Sequence, residues 1–156
     1  MKKFLFYTLL SITLISSSFS FAVDSEDIAL AFVQKYNLGQ KLTPVSYQYS
    51  TFSQIYRVIV NKVGEENAKR IVNSEIDKLI PDYQNQWNIN LASSYTEVIG
   101  TEKLQSLFDE GSSSQYSGEL IEKQQKIGEL MMGKSTDLLN EIMTKALIAA
   151  SNQMVQ

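Results

Sequence analysis

From Ile28 to Leu147 apolar side chains recur at steps of three and four residues, and strand-like alternation is scarce. A helix with about 3.6 residues per turn gathers such positions on one side, whereas a strand needs a period of two. A chain patterned this way must bury one helical stripe against another. The expectation is an all-α fold, a compact bundle of about five to seven helices.

Glycine, proline and short polar residues divide the pattern. Asp24 or Ser25 caps a first helix, with Glu26 and Asp27 at its positive end and Ile28, Phe32 and Tyr36 along its stripe. Asn37 and Gly39 offer the stop. Thr43-Pro44 then reads as a cap followed by a first-turn proline. Val45, Tyr49, Phe52, Tyr56, Ile59 and Val63 make one long second stripe, ended by Gly64. Within it "YRVIV" has strand propensity, but the longer stripe outvotes it. A third helix is expected over Glu65–Ile80. Pro81 should reset the chain, and Tyr83, Trp87, Leu91, Tyr95 and Val98 mark a fourth, ending at Gly100. Thr101 opens a short fifth helix with Leu104, Leu107 and Phe108 apolar. The last segment, from about Ser117, contains Gly128 and Gly133 and is either one kinked helix or two. Glu65/Lys69, Glu66/Arg70, Glu119/Lys123, Glu122/Lys126 and Glu141/Lys145 are four-residue pairs that support solvent faces.

The chain starts "MKKFLFYTLLSITLISSSFSFAVDSED". Lys2 and Lys3 precede twelve apolar-rich residues, Phe4 to Ile15, and Ser20-Phe21-Ala22 places small residues before a cleavage point. That is the layout of a secretory signal peptide. A membrane span needs about 20 mainly apolar residues, and this run is shorter. The expectation is residues 1–22 as signal peptide and 23–156 as a single helical domain, periplasmic or secreted, with no stable membrane anchor. With no cysteine, neither lipidation at the cleavage site nor disulfides are open to it, so its own core must hold the fold. Removing Lys2 and Lys3 leaves 12 basic against 17 acidic residues, a net charge of −5. That sign argues against nucleic acid and against anionic membrane surfaces as partners.

Chemistry-bearing patterns are sparse. "DEGSSSQYSG" (Asp109 to Gly118) brings serines and a glycine beside two carboxylates. A serine nucleophile needs a base, usually histidine, and the chain has none. A phosphate loop needs a following lysine, but none comes before Lys123. Asp109 and Glu110 are adjacent rather than alternating, as a calcium loop requires. The nitrogen and sulfur ligands usual for transition metals are absent. The bland reading is preferred: Gly111 ends the fifth helix, the serines form a solvated turn, and Ser117 or Ser114 caps the next helix. No catalytic, cofactor-binding or metal-ligating residue is assigned. Aromatics are the more informative group. Tyr47, Tyr49, Phe52 and Tyr56, with Trp87, read either as core or as an apolar groove for a ligand or partner helix. The candidate interaction surface is Tyr47, Tyr49, Tyr56, Asp109 and Glu110.

"LASSYTEVIGTEKLQSLFDEGSSSQYSGELIEKQQKIGELM" resembles the small exported α-helical proteins of Gram-negative bacteria classed as a domain of unknown function. In that family a short helix and a small-residue turn precede a long helix, and here Thr101, Leu104, Leu107, Phe108, Ser112 to Ser114 and Gly118 occupy those places. The resemblance covers roughly residues 71–143. It implies a helical periplasmic protein without assigned catalytic residues. Two functions are carried forward. One is a non-enzymatic interaction module of the envelope with a protein partner, such as an immunity or inhibitor protein for a toxin or hydrolase. The other is a binder of lipid or another apolar ligand, or a holdase-like chaperone.

Overall fold

The structure, a computed structural model, describes residues 25–154. The expected signal peptide lies outside the described residues. Seven α-helices run in the order α1 (Ser25–Lys35), α2 (Leu42–Ser50), α3 (Gln54–Val63), α4 (Glu65–Ile99), α5 (Thr101–Glu110), α6 (Ser117–Glu122) and α7 (Gln124–Gln153). Short 3₁₀ turns occupy Leu38–Lys41 and Gly111–Ser113. No strand occurs among the described residues, and no helix there is long and apolar enough to cross a membrane. The all-α expectation holds.

The long helices α4 and α7 pack against each other and form the spine. At about 1.5 Å per residue α4 is roughly 52 Å long, so it serves two separate cores. Its first half closes over α2, α3 and the second half of α7, burying Leu42, Ile59, Val72, Ile76, Ile142 and Leu147. Its second half closes over α1, α5 and the start of α7, burying Phe32, Val33, Tyr95, Leu104, Leu107 and Ile127.

Three boundaries differ from the sequence expectation. The long second stripe is two helices. Between them Ser50 Oγ and Thr51 Oγ1 donate to the carbonyls of Tyr47 and Gln48, both at 2.7 Å, and Ser53 Oγ accepts from the Ile55 amide at 3.1 Å. Hydroxyls that bond their own backbone compete with the helical ladder, and a cluster of three ends it. Phe52, expected on the buried stripe, is 69% exposed. α2 begins at Leu42, so Thr43 is no cap, and Pro44 sits in the first turn where its missing N–H is harmless.

Pro81 does not reset the chain: α4 runs through it. A proline inside a helix costs about 3 kcal/mol, partly because the carbonyl four residues back loses its donor. Here that carbonyl belongs to Asp77, and both residues are exposed, where solvent can supply a donor. Val72 and Ile76 before Pro81 and Trp87 and Ala92 after it are all buried in the cores described above. Each large side chain so buried contributes about 1.5–3 kcal/mol, which outweighs one proline.

The final segment divides, but at Lys123; Gly128 and Gly133 lie inside an unbroken α7. Lys123 Nζ donates to the Val98 carbonyl at 3.3 Å and pairs with Glu119 at 2.5 Å. Glu119 also takes Lys103 of α5 at 2.6 Å, so one carboxylate ties α5, α6 and the α6–α7 corner together. These two lysines hold the Glu119 carboxyl below its usual range. Gly64 and Gly100 end α3 and α4 as expected, both at φ above +80°, where a side chain would be strained.

Candidate functional site

The site starts from the end of α1. Asn37 takes the left-handed conformation at φ 52° and turns the chain, so that Leu38 points its apolar side chain back into the bundle. Two neighbours fix the end of α1 to α5. Tyr36 Oη donates to the Leu107 carbonyl at 3.2 Å, and Lys35 Nζ donates to the Phe108 carbonyl while standing 4.3 Å from the Phe108 ring centre. A lysine over helix-terminal carbonyls is favoured by their partial negative charge. Gly111 ends α5 at φ 61°, and a side chain there would meet the Tyr36 hydroxyl at 3.2 Å.

This arrangement leaves two open clefts. The first, about 460 Å³, is walled by Phe32, Tyr36, Tyr95, Leu107, Leu120 and Ile121. Phe32 and Tyr95 meet edge to face there, with ring centres 5.4 Å apart. The second, about 330 Å³, is walled by Val45, Trp87, Leu91, Ile127, Met131 and Met132. Leu38, Tyr95 and Gln124 line both, so the clefts are neighbours across these three residues.

The polar content is small. Ser112, Ser117 and Gln124 are added to the first cleft, which no carboxylate or lysine among the described residues lines. Among the described residues Lys41 is the one charged residue lining the second. Burial pushes the Tyr95 phenol above its usual value, opposed in part by a hydrogen bond with Gln124. Apolar walls with a few hydroxyl and amide groups suit binding of a mostly apolar molecule. Exposed Ile121, at 73%, and Met132, at 40%, leave apolar surface in water beside these walls. A third cleft of about 360 Å³ is lined mainly by amide side chains, and there Gln84 Nε2 donates to the Gly39 carbonyl at 3.0 Å and to Asn88 Oδ1 at 2.9 Å.

The five residues proposed from sequence as an interaction surface do not come together. Tyr47 of α2 donates its hydroxyl to Asp77 of α4, Tyr49 to Asn140 of α7 at 3.1 Å, and Tyr56 of α3 to Glu65 of α4 at 3.1 Å. Tyr56 is buried in the first core. These tyrosines fasten helices to one another. Asp109 and Glu110 stand on α5, beside the other core, where they accept from Gln105 and Ser106 of their own helix, each at 2.8 Å. Of the aromatic set, Trp87 lines the second cleft, while Tyr47, Tyr49, Phe52 and Tyr56 line neither. Among the described residues no three histidine, cysteine or acidic side chains gather as metal ligands would.

The serine turn is only partly solvated. Ser112 and Ser113 are exposed, but Ser114 is buried, 2.8 Å from Ser106 Oγ, and accepts from the Tyr116 amide at 3.2 Å. Ser114 therefore folds the α5–α6 corner, and α6 begins at Ser117 with no side-chain cap. The sequence offered no sign of two other cleft members, Leu38 and Gln124, because each is the first residue of its element, where stripes give no side.

No protein-family model, no curated protein and no solved structure matches this chain.

Proposed function

We propose that this protein is an exported envelope protein that binds an apolar or amphipathic molecule, such as a lipid acyl chain, in the neighbouring clefts between α1, α4, α6 and α7. One observation carries this reading: two apolar clefts, each within the range of small-molecule sites, share Leu38, Tyr95 and Gln124. An extended chain passing those three residues would cover both. Covering Ile121 and Met132 removes apolar surface from water, which is favourable at about 25 cal/mol per Å². A protein-interaction role built on Tyr47, Tyr49, Tyr56, Asp109 and Glu110 has less support, since the tyrosine hydroxyls are engaged within the fold and the acids lie on another core.

Trp87 is the only tryptophan in the chain and lines the second cleft, so it reports occupancy. Titration with a long-chain fatty acid brominated along its chain should quench Trp87 emission saturably, with the helical circular dichroism unchanged. Acetate at the same concentration should do nothing. Solvent extraction of the purified protein followed by mass spectrometry should recover a bound lipid. Unquenched emission together with a lipid-free extract would remove this reading.

A further inference from the structure

We infer that the α2–α3 corner is a docking face for an anionic lipid bilayer surface. Phe52, Ile55 and Val58 are the exposed apolar residues here, at 69%, 43% and 52%. Ile55, Val58 and Lys62 follow at steps of three and four, so they share one stripe of α3. The neighbouring stripe, Tyr56, Ile59 and Val63, about a quarter-turn away, is turned into the core. α3 thus has two apolar sides, and the fold uses one.

Charge identifies what covers the other. Residues 28–64 contain Lys35, Lys41, Arg57 and Lys62 and no aspartate or glutamate, so all 17 acidic residues of the chain lie outside this stretch. The net negative charge of the whole protein hides a basic segment. Arg57 and Lys62 are exposed on α3 and form no ion pair among the described residues. The nearest acids in sequence, Glu65 and Glu66, open α4 and are followed there by Lys69 and Arg70. Glu65 is held by Tyr56, which points to the core side of α3. Lys35 is engaged with Phe108, Lys41 lines the second cleft and Asp77 of α4 is engaged by Tyr47 of α2, so the exposed Arg57 and Lys62 are the cations of this corner, and charges act over about 8–10 Å at physiological salt.

Apolar side chains beside lysine and arginine suit the boundary between headgroups and acyl chains. Two apolar side chains on a ten-residue helix, with Phe52 in the turn before it, make a smaller patch than the roughly 800 Å² per partner of a stable protein interface. They suffice for shallow, reversible insertion beneath a charged headgroup layer. This inference stands apart from the ligand reading, since none of Phe52, Ile55, Arg57, Val58 and Lys62 lines either cleft.

The test is co-sedimentation of the chain recovered after export in a bacterial host. The vesicles contain either phosphatidylglycerol with phosphatidylcholine or phosphatidylcholine alone. We expect binding to the anionic vesicles, at least tenfold weaker binding to the neutral ones, and release by high salt. Phe52→Ser with Val58→Ser, and separately Arg57→Gln with Lys62→Gln, should each lower binding about tenfold with the circular dichroism unchanged. All variants share one N-terminus, so any contribution from it cancels. Equal binding to both vesicle types, no binding to either, or well-folded variants that bind like the parent would overturn the proposal. Capture of an acidic protein through the same residues without vesicle binding would do so too, assigning the face to a protein.

Discussion

Ser106 Oγ of α5 lies 2.8 Å from Ser114 Oγ, across the corner that leads into α6. Ser114 is 2% exposed, while its neighbours Ser112 and Ser113 face solvent. Three consecutive serines therefore have two different jobs. Ser114→Ala removes a buried hydroxyl and leaves the Tyr116 amide without its acceptor, while Ser106 keeps Glu110, which should cost about 1–3 kcal/mol. Ser112→Ala with Ser113→Ala should stay within about 0.5 kcal/mol. Urea denaturation of the two variants checks the contrast, and equal effects would contradict it.

Leu107 and Phe108 are neighbours on α5 with different surroundings. Leu107 is 2% exposed and walls the first cleft, whereas Phe108 is half-buried beneath Lys35. Leu107→Ala should destabilise by about 2–5 kcal/mol. Phe108→Ala should cost roughly half as much, because water already reaches part of its ring. Thermal unfolding followed by circular dichroism separates the two.

Gly128 lines the second cleft, and nothing stands within 4 Å of where its side chain would begin. Leucine there suits the helix better than glycine by on the order of 1 kcal/mol. It also places a side chain in the cleft wall. Gly128→Leu should therefore raise the unfolding midpoint while weakening quenching of Trp87 by a brominated fatty acid. A variant that is stabilised yet still binds the acid fully would place the ligand elsewhere.

Burial, assisted by Asp77, pushes the Tyr47 phenol up to about 12 from an ordinary value of 10.0. Tyr56 and Tyr95 are raised in the same direction, each chiefly by burial. A group whose pKa is higher in the folded state holds its proton there after the unfolded chain has released it. Its contribution is complete below pH 10 and lost as pH climbs through 12 for Tyr47. Denaturation midpoints should accordingly fall as pH rises above about 10. Tyr47→Phe should flatten part of that slope, and a midpoint independent of pH in this range would refute the linkage.

Much of the fold was legible in the chain. Steps of three and four from Ile28 to Leu147 determined the helical class, and Gly64, Gly100 and Gly111 determined where α3, α4 and α5 end. These signals are local: a stripe needs only its own helix, and a left-handed turn needs only its own glycine. Tertiary structure decided what local signals leave open. Pro81 stays inside α4 because packing on both sides outweighs one lost hydrogen bond. The Val45–Val63 stripe breaks at Ser50, Thr51 and Ser53, where hydroxyls take the backbone's partners and send Phe52 into solvent. The clefts belong to the same class. Leu38, Tyr95 and Gln124 are far apart in sequence and share no period, and they meet only because α1, α4 and α7 converge. A periodic pattern records which side of a helix is buried, but a cleft is the space that several helices fail to fill together, and only their packing fixes its shape.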